Sequence, residues 1–196
     1  MDFELSKDLP KLGYKGPETC ELVLDNVRVP VANLLGGVAG RGLQQVLNGL
    51  EIGRINVASR AVGVAQAAYD AALRYSRERH AFGQPIAGFQ AIQLKLADMA
   101  TEIQAARLLT RWAAARSQAG GRVDMEAGMA KLYASEVALK CSLESMRIHG
   151  AYGYSGEFIV ERLYRDAPLM AIGEGTNDIQ RLVIARALVS GASQIP

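Results

Sequence analysis

The longest regular pattern in this chain lies in residues 42–77, which read GLQQVLNGLEIGRINVASRAVGVAQAAYDAALRYSR. Apolar or small residues recur there at alternating spacings of three and four: Leu43, Val46, Leu50, Gly53, Val57, Ala61, Val64, Ala68, Ala71 and Tyr75. This period places them on one face of an α-helix. At about 1.5 Å per residue the helix would be about 50 Å long. Because the face is mostly small, we expect neighbouring helices to pack closely against it.

Two further segments repeat the helical period. Residues 89–117 carry Ile92, Leu96, Met99, Ile103, Ala106, Thr110 and Ala113, and residues 124–149 carry Met125, Met129, Leu132, Glu136, Leu139, Leu143 and Met146. Glu136 is charged, so we expect it to be paired or exposed at the edge of its stripe. A short helical piece is predicted around residues 158–164 and a last helix around residues 176–189, with glycine and proline marking the connections.

The first 35 residues have β character. Residues 19–24 and 27–29 are predicted as short strands around a turn at Asp25-Asn26. Two short strands cannot bury themselves, so we expect this segment to be poorly anchored. We therefore predict a mainly α protein, an up-and-down four-helix bundle over residues 36–196 with a short N-terminal β segment in residues 1–35.

Composition excludes several classes of function. The chain has 196 residues, 49% of them hydrophobic, and a net charge of +2, which is too small to indicate a nucleic acid or a membrane surface as partner. It contains no apolar run long enough for a membrane span, and its first ten residues lack the pattern of a signal peptide. Cys20 and Cys141 are the only cysteines. They suit neither a disulfide framework nor a metal cluster, so we expect them to have packing roles and we expect no metal site.

Residues 171–181, AIGEGTNDIQR, contain the most distinctive local motif. Gly173 and Gly175 flank Glu174, and Thr176-Asn177-Asp178 has the composition of a helix cap and first turn. A carboxylate on such a loop can reach into a cleft. Spacing alone favours the simpler interpretation, a surface glutamate between two helices.

Other segments change that balance. They include Arg79-His80-Ala81-Phe82-Gly83 followed by Gln90, the segment 146–154 (MRIHGAYGY), Gly49-Leu50-Glu51-Ile52-Gly53-Arg54, and Tyr164-Arg165-Asp166-Ala167. Together with the Glu-Gly-Thr tripeptide they resemble, in the same order, the C-terminal portion of the acyl-CoA dehydrogenases. The resemblance implies that residues 1–35 are the remnant of a central β-domain, and that the N-terminal helical domain and most of that β-domain are missing.

The resemblance also implies roles for individual residues. Glu174 would be the catalytic base, with Glu51, Arg54 and Gly175 near the substrate. Cofactor contacts to FAD would come from Arg79, Phe82, Gln90, Arg147, Gly150, Ala151, Thr176 and Asp178, of which Arg79 and Gln90 would meet the FAD of a neighbouring subunit. Arg147 and Ala151 depart from the usual family residues, glutamine and glycine. His149 stands where the family has an apolar residue, so we expect it to pack at a helix end.

The expected reaction is the α,β-dehydrogenation of an acyl-CoA thioester to a trans-2-enoyl-CoA. The resemblance implies a homodimer or homotetramer, an electron-transfer flavoprotein as acceptor, and a bacterial cytoplasm or mitochondrial matrix as location. Two alternatives remain open. The chain by itself would be only an oligomerisation module without FAD, or it would belong to a relative with oxidase chemistry.

Overall fold

The computed structural model describes residues 3–191. The first two residues of the predicted β segment and the last five of the predicted bundle lie outside this range. Helices dominate the described part, and the prediction of a helical bundle with short N-terminal strands is confirmed. Within residues 3–191, no helix is both long and apolar enough to cross a lipid bilayer.

In the described part of the chain, five α-helices make up the bundle. They are α1 (Gly42–Glu78), α2 (Gln90–Gln118), α3 (Asp124–His149), α4 (Val160–Ile172) and α5 (Asn177–Val189). The bounds of α1, α2, α3 and α5 agree with the sequence prediction within a residue or so. The piece expected around residues 158–164 is longer, since α4 continues to Ile172 and includes Pro168. The predicted end at residue 164 is therefore too early by eight residues.

Polar contacts fix the directions of the long helices. On α2 and α3, Lys95 pairs with Glu144 and Lys140 pairs with Glu102, so these two helices are antiparallel. The amide Nε2 of Gln66 bonds within α1, while its Oε1 accepts from Arg107 of α2 at 2.6 Å. Helix α3 occupies the centre and contacts α1, α2, α4 and α5.

Small side chains fill the contact between the central helices. Buried residues of α1 and α3 include Ala58, Ala61, Ala65, Ala68, Ala72, Ala130, Ala134, Ala138 and Cys141. On α2 the predicted stripe is largely correct: Ile92 and Leu96 are half-buried against the core, and the other five members are buried, namely Met99, Ile103, Ala106, Thr110 and Ala113. The predicted stripe of α3 is largely wrong. Apart from Met125 its members are half-buried or exposed, because this helix is surrounded and its small residues make the closest contacts.

The first turns of α1 also differ from expectation. Leu43 and Val46 are exposed, because this end of the helix extends beyond the core formed from Val57 onward. Glu136 behaves as predicted: its side chain is half exposed, and its Oε1 accepts a hydrogen bond from Asn177 at 2.9 Å.

The N-terminal strands form one small antiparallel pair. Strand β1 (Phe3–Leu5) pairs with β2 (Leu22–Leu24), with Glu4 opposite Val23. The strand predicted at residues 27–29 is absent, and β1 takes the partner position instead. A second short pair, β3 (His80–Ala81) and β4 (Gln84–Pro85), links α1 to α2.

The expectation of poor anchoring is wrong at one place. The backbone N–H of Tyr14 donates to Asp166 Oδ1 at 2.7 Å, and the Arg60 guanidinium lies 5.0 Å from the Tyr14 ring centre. Gly13 lies so close to the backbone of Arg165 that a side chain would not fit between them. Residues 13–14 therefore attach the β segment to α4 and α1, while most of that segment is exposed.

Candidate active site

The loop between α4 and α5 presents Glu174. Its φ is 57°, and that of Gly175 is 88°, so two consecutive residues have left-handed backbone conformations. Such a conformation is uncommon for a residue with a side chain and persists where surrounding contacts enforce it. Thr176 then begins α5 as its cap, accepting a hydrogen bond from the N–H of Ile179 at 3.4 Å. The cap is where the sequence predicted it.

The Glu174 side chain lies against α1 at Gly53. A Cβ atom added to Gly53 would lie 2.6 Å from Oε2 of Glu174 and 2.9 Å from its Cδ. The carboxylate therefore occupies the space that any larger residue at position 53 would need. Glu174 itself is half-buried. The simpler interpretation, a surface glutamate between two helices, is right about the position between α4 and α5, but the side chain is half-buried and lies against the first long helix.

Two buried polar residues, Lys131 and Gln180, donate hydrogen bonds to this loop, and the sequence motifs predicted a role for neither. Lys131 of α3 donates from Nζ to the carbonyl of Ala171 at 2.9 Å, to that of Gly175 at 2.8 Å and to Asn177 Oδ1 at 2.9 Å. Gln180 donates from Nε2 to the carbonyls of Glu174 and Gly175, at 3.2 and 3.0 Å. Their signal in the sequence is faint, since each lies at an ordinary helical position.

The charge on Lys131 is poorly solvated. Burial lowers the pKa of Lys131 from 10.5 to about 8, and the nearby Arg54 charge acts in the same direction, while the carboxylates of Glu136 and Glu174 oppose both. A lysine in the interior with a lowered proton affinity is uncommon unless it has specific partners. Here those partners are the atoms that define the Glu174 loop.

Arg54 and Glu51 both contact residues 122–124 at the start of α3. Arg54 is 6% exposed and its Nη1 lies 3.3 Å from Asp124 Oδ1. Glu51 pairs with Arg122 and accepts a hydrogen bond from the N–H of Val123 at 3.3 Å. The local ion pair that their spacing allows is replaced by these contacts with the start of α3. The Nε of Arg54 is buried without a hydrogen-bond partner, so this guanidinium has unused donor capacity next to Gly53.

Arg79, Phe82 and Gln90 lie together where α1 meets α2, and all three are exposed. Phe82 is 96% exposed, has a φ of 52°, and contacts Phe89 edge to face with ring centres 6.1 Å apart. The hairpin β3–β4 thus projects an aromatic ring outward instead of packing it into the core.

Arg147, Gly150 and Ala151 lie at the end of α3 and are also exposed. Gly150 begins a 3₁₀ turn with a φ of 62°, and nothing lies within 4 Å of the position a Cβ would take there. His149 is buried and stacks on Tyr75 with ring centres 4.2 Å apart. Burial lowers the pKa of His149, against a smaller opposing effect of the Ser145 carbonyl. The helix-end packing role expected for His149 agrees with this position.

The candidate residues form two separate groups. Gly53 and Tyr75 lie on the same helix α1, so the Glu174 group and the Arg79 group are roughly 33 Å apart at about 1.5 Å per residue. Thr176 and Asp178 belong to the Glu174 group and are exposed at the start of α5. Within one chain, the fold does not bring the two groups together.

The exposed group suits a flavin dinucleotide in its chemistry. A guanidinium at a helix end offers several donors for a diphosphate, and Arg79 is exposed there. The uncovered Phe82 ring and the open glycine turn at Gly150 leave space for flat ring systems to lie against them. Among residues 3–191, no cluster of His, Cys, Asp and Glu side chains could hold a metal ion.

Fold and site together define a helical bundle that presents a carboxylate from an interhelical loop to the side of its longest helix. Residues 40–189 match the family described as "Acyl-CoA dehydrogenase, C-terminal domain". The chain therefore belongs to the acyl-CoA dehydrogenase family, as its sequence motifs had indicated.

Individual relatives give the extent of the likeness. The probable acyl-CoA dehydrogenase YngJ of Bacillus subtilis is 53% identical over 91% of this chain and 47% of its own length. The caffeyl-CoA reductase-Etf complex subunit CarC of Acetobacterium woodii is 42% identical over 94% of this chain and 48% of its own. The solved butyryl-CoA dehydrogenase of Megasphaera elsdenii superposes with a TM-score of 0.93 at 43% identity, covering 95% of this chain and 49% of that one. The chain spans about half the length of these relatives.

Proposed function

We propose that this chain contributes the catalytic base to an FAD-dependent acyl-CoA dehydrogenase, with Glu174 as that base. The observation that carries the proposal is the position of the Glu174 carboxylate against Gly53 of α1, on a loop fixed by Lys131 and Gln180. Family membership supports the class of reaction, since the matched family is that of the acyl-CoA dehydrogenases.

The base acts on the α-carbon of the acyl thioester. The hydrogen on this α-carbon is weakly acidic, so the base must be held within hydrogen-bonding reach of it and shielded from water. Glu174 takes the α-proton on a carboxylate oxygen, and the electron pair left on the α-carbon forms the new double bond. The β-hydrogen departs with its own electron pair. The product is a trans-2-enoyl-CoA, and the proton remains on Glu174 until the product leaves.

Bound FAD would supply the acceptor for the departing hydride. Arg79 and Gln90 would hold its diphosphate, with Phe82 packed nearby and the turn at Gly150 and Ala151 beside the adenine end, where the exposed Arg147 also lies. Thr176 and Asp178 would approach the cofactor from the start of α5. Because the two groups are far apart on α1, we propose that each flavin is shared between two copies of the chain.

Arg54, Glu51 and Gly175 would shape the substrate side of the site. Arg54 is the best-supported candidate for substrate contact, since its buried Nε lacks a hydrogen-bond partner beside Gly53. Glu51 acts indirectly by fixing the start of α3. Gly175 keeps the loop compact, because a Cβ there would lie 2.9 Å from Nε2 of Gln180.

An electron-transfer flavoprotein is the proposed acceptor of the electrons. Support comes from the name of the Acetobacterium woodii relative, which is a subunit of a reductase-Etf complex.

Replacement of Glu174 by glutamine tests the assignment. Removing a catalytic base of this kind lowers kcat by about 10²- to 10⁴-fold, so we expect that loss in the FAD-loaded protein, with thioester affinity retained. Glu157→Gln is the matched control, because Glu157 is exposed and lies outside the site. Full activity of the Glu174 variant, measured by reduction of an artificial electron acceptor, would reject the assignment.

A second candidate function is favoured by the exposed apolar surface. Leu43, Val46 and Leu47 of α1, and Leu182 and Val189 of α5, are all exposed. In this alternative the isolated chain only self-associates and holds no flavin. Flavin absorbance in the purified chain, combined with its mass in solution, separates the two, since an oligomer without flavin supports the alternative.

A further inference from the structure

Lys131 is the most completely enclosed charged side chain in the described part of the protein. It is 0% exposed, although it lies on the central helix α3 among small residues such as Ala130 and Ala134. Burying an ammonium group is costly unless every hydrogen finds an acceptor. All three Nζ hydrogens have one here, so the position is specific for a three-proton donor rather than for apolar bulk.

The three acceptors belong to three consecutive parts of the chain. Ala171 is in the last turn of α4, where carbonyl groups lack partners within the helix. Gly175 is in the loop, and Asn177 is the first residue of α5. A cation near the end of α4 is also favoured by the helix dipole. One ammonium group therefore joins the two helices on either side of Glu174.

The loop requires such a restraint. Glu174 and Gly175 both have left-handed φ values, which is a strained arrangement for the glutamate. Gln180 contributes a second restraint from α5 by donating to the carbonyls of both residues. Lys131 differs from Gln180 because it belongs to α3, which also packs along α1. It ties the loop to the framework that carries Gly53.

We propose that Lys131 is a positioning residue, which holds the α4–α5 loop so that the Glu174 carboxylate stays against Gly53. The effect on the loop depends only on the contacts described above, whereas its effect on catalysis rests on the proposed function of Glu174. Lys131 does not exchange a proton with the substrate in this proposal.

Hydrogen–deuterium exchange on the chain tests the effect on the loop. In Lys131→Met we expect amides in residues 171–180 to exchange at least about tenfold faster, as the loss of charged hydrogen bonds predicts, while α2 stays within about twofold. Lys140→Met is the matched control on the same helix, because its ion pair with Glu102 is at the surface. Unchanged exchange in residues 171–180 would overturn the proposal.

A uniform increase in all helices would overturn it as well, because this is the result expected if Lys131 only stabilises the bundle. Should Lys131→Met fail to fold, Lys131→Gln provides the same test. The glutamine amide still donates two hydrogens, but its side chain is about one bond shorter than that of lysine and does not fully reach the acceptors. We expect it to give a smaller, local increase in the same ten residues.

Kinetics of the FAD-loaded protein provide the second measurement. A small misplacement of a catalytic group can cost about 10²-fold, so Lys131→Met should lower kcat strongly and change KM for the thioester less than about threefold. An equal change in both constants would contradict a positioning role. If Glu174→Gln retains activity, the proposed function fails, but the exchange experiment still decides the role of Lys131 in the loop.

Discussion

Among single residues, Lys131 has the most unusual environment, because its charged group is fully buried and its pKa is lowered. Its neighbours by charge are Arg54 on α1, Glu136 on the same helix and Glu174 on the loop. Asn177 bonds to both Lys131 and Glu136, so it links the buried cation to a half-exposed carboxylate. The site is therefore an extended network of polar groups rather than a single glutamate.

Lys131 makes folding stability depend on pH in a defined direction. Its pKa is about 8 in the folded protein against an ordinary 10.5, so between these values the unfolded chain binds a proton that the folded chain has lost. The cost of burying the ammonium is fully present below about pH 8 and disappears as the pH rises toward about 10.5. We expect wild type to gain stability relative to Lys131→Met across this window.

Urea unfolding of both proteins at about pH 7.5 and about pH 10 measures the effect. Arg54, Glu136 and Glu174 are present in both proteins, so the difference between the two isolates residue 131. The lowered pKa would be contradicted if the difference in unfolding free energy between wild type and Lys131→Met were the same at both pH values. It would also be contradicted if the methionine variant gained stability relative to wild type at high pH.

Among the helices, α1 contributes both to the packed core and to the surroundings of the Glu174 carboxylate. Its buried alanines allow close packing, and the absence of a side chain at Gly53 leaves room for the Glu174 carboxylate. Glycine in a helix interior normally costs stability. Position 53 thus exchanges some helix stability for space at the site.

Gly53→Ala should separate activity from stability. An alanine favours the helix by about 0.5–1 kcal/mol, but its Cβ would displace the Glu174 carboxylate. We expect unfolding free energy that is unchanged or higher, together with a clear loss of kcat. Gly63→Ala is the control on the same helix, since nothing lies within 4 Å of its added Cβ. Equal activity in the two variants would show that the contact at Gly53 is not needed.

The sequence predicted most elements because their periodicity is local. Residues 42–77, 89–117 and 124–149 carry helical spacing along their whole length. The buried face of α3 was not predictable in this way, because a central helix is contacted on several sides and its small residues lie deepest. The strand at Leu22–Leu24 was recognisable, but its partner Phe3–Leu5 depends on a pairing between distant residues. Lys131 and Gln180 resemble surface residues in the sequence.

At the scale of the whole molecule, the two groups of candidate residues lie at different levels of the bundle. Arg79 and Gly150 share one end, held together by the contacts among Tyr75, His149 and Phe158. Glu174 lies near Gly53, well along α1. If one flavin contacts both groups, the second group must come from another copy of the chain.

Mixing two variants tests this shared site. Arg79→Ala damages one group and Glu174→Gln the other, so each protein alone should have little activity at limiting FAD. In an equal mixture that re-associates as dimers, half of the dimers are mixed and each has one intact site of two. We expect about a quarter of the wild-type activity.

Wild type diluted with an inactive double variant is the reference for this experiment. If mass measurements show that the copies have exchanged but mixing restores no activity, the two groups do not combine across chains to form one site. Recovery would support a closed symmetric assembly with composite sites.

Periodicity and short motifs predicted the helical class, the extent of the long helices and the family, because both are properties of consecutive residues. The motifs also pointed to Glu174 as a candidate residue and to Thr176 as the cap of α5. Three features arise only from helix packing: the carboxylate lies against Gly53, Lys131 donates hydrogen bonds to the loop of Glu174, and the two groups of candidate residues are apart on one chain. Those facts depend on which surfaces meet when the helices pack, and contacts between residues distant in sequence leave no periodic signal.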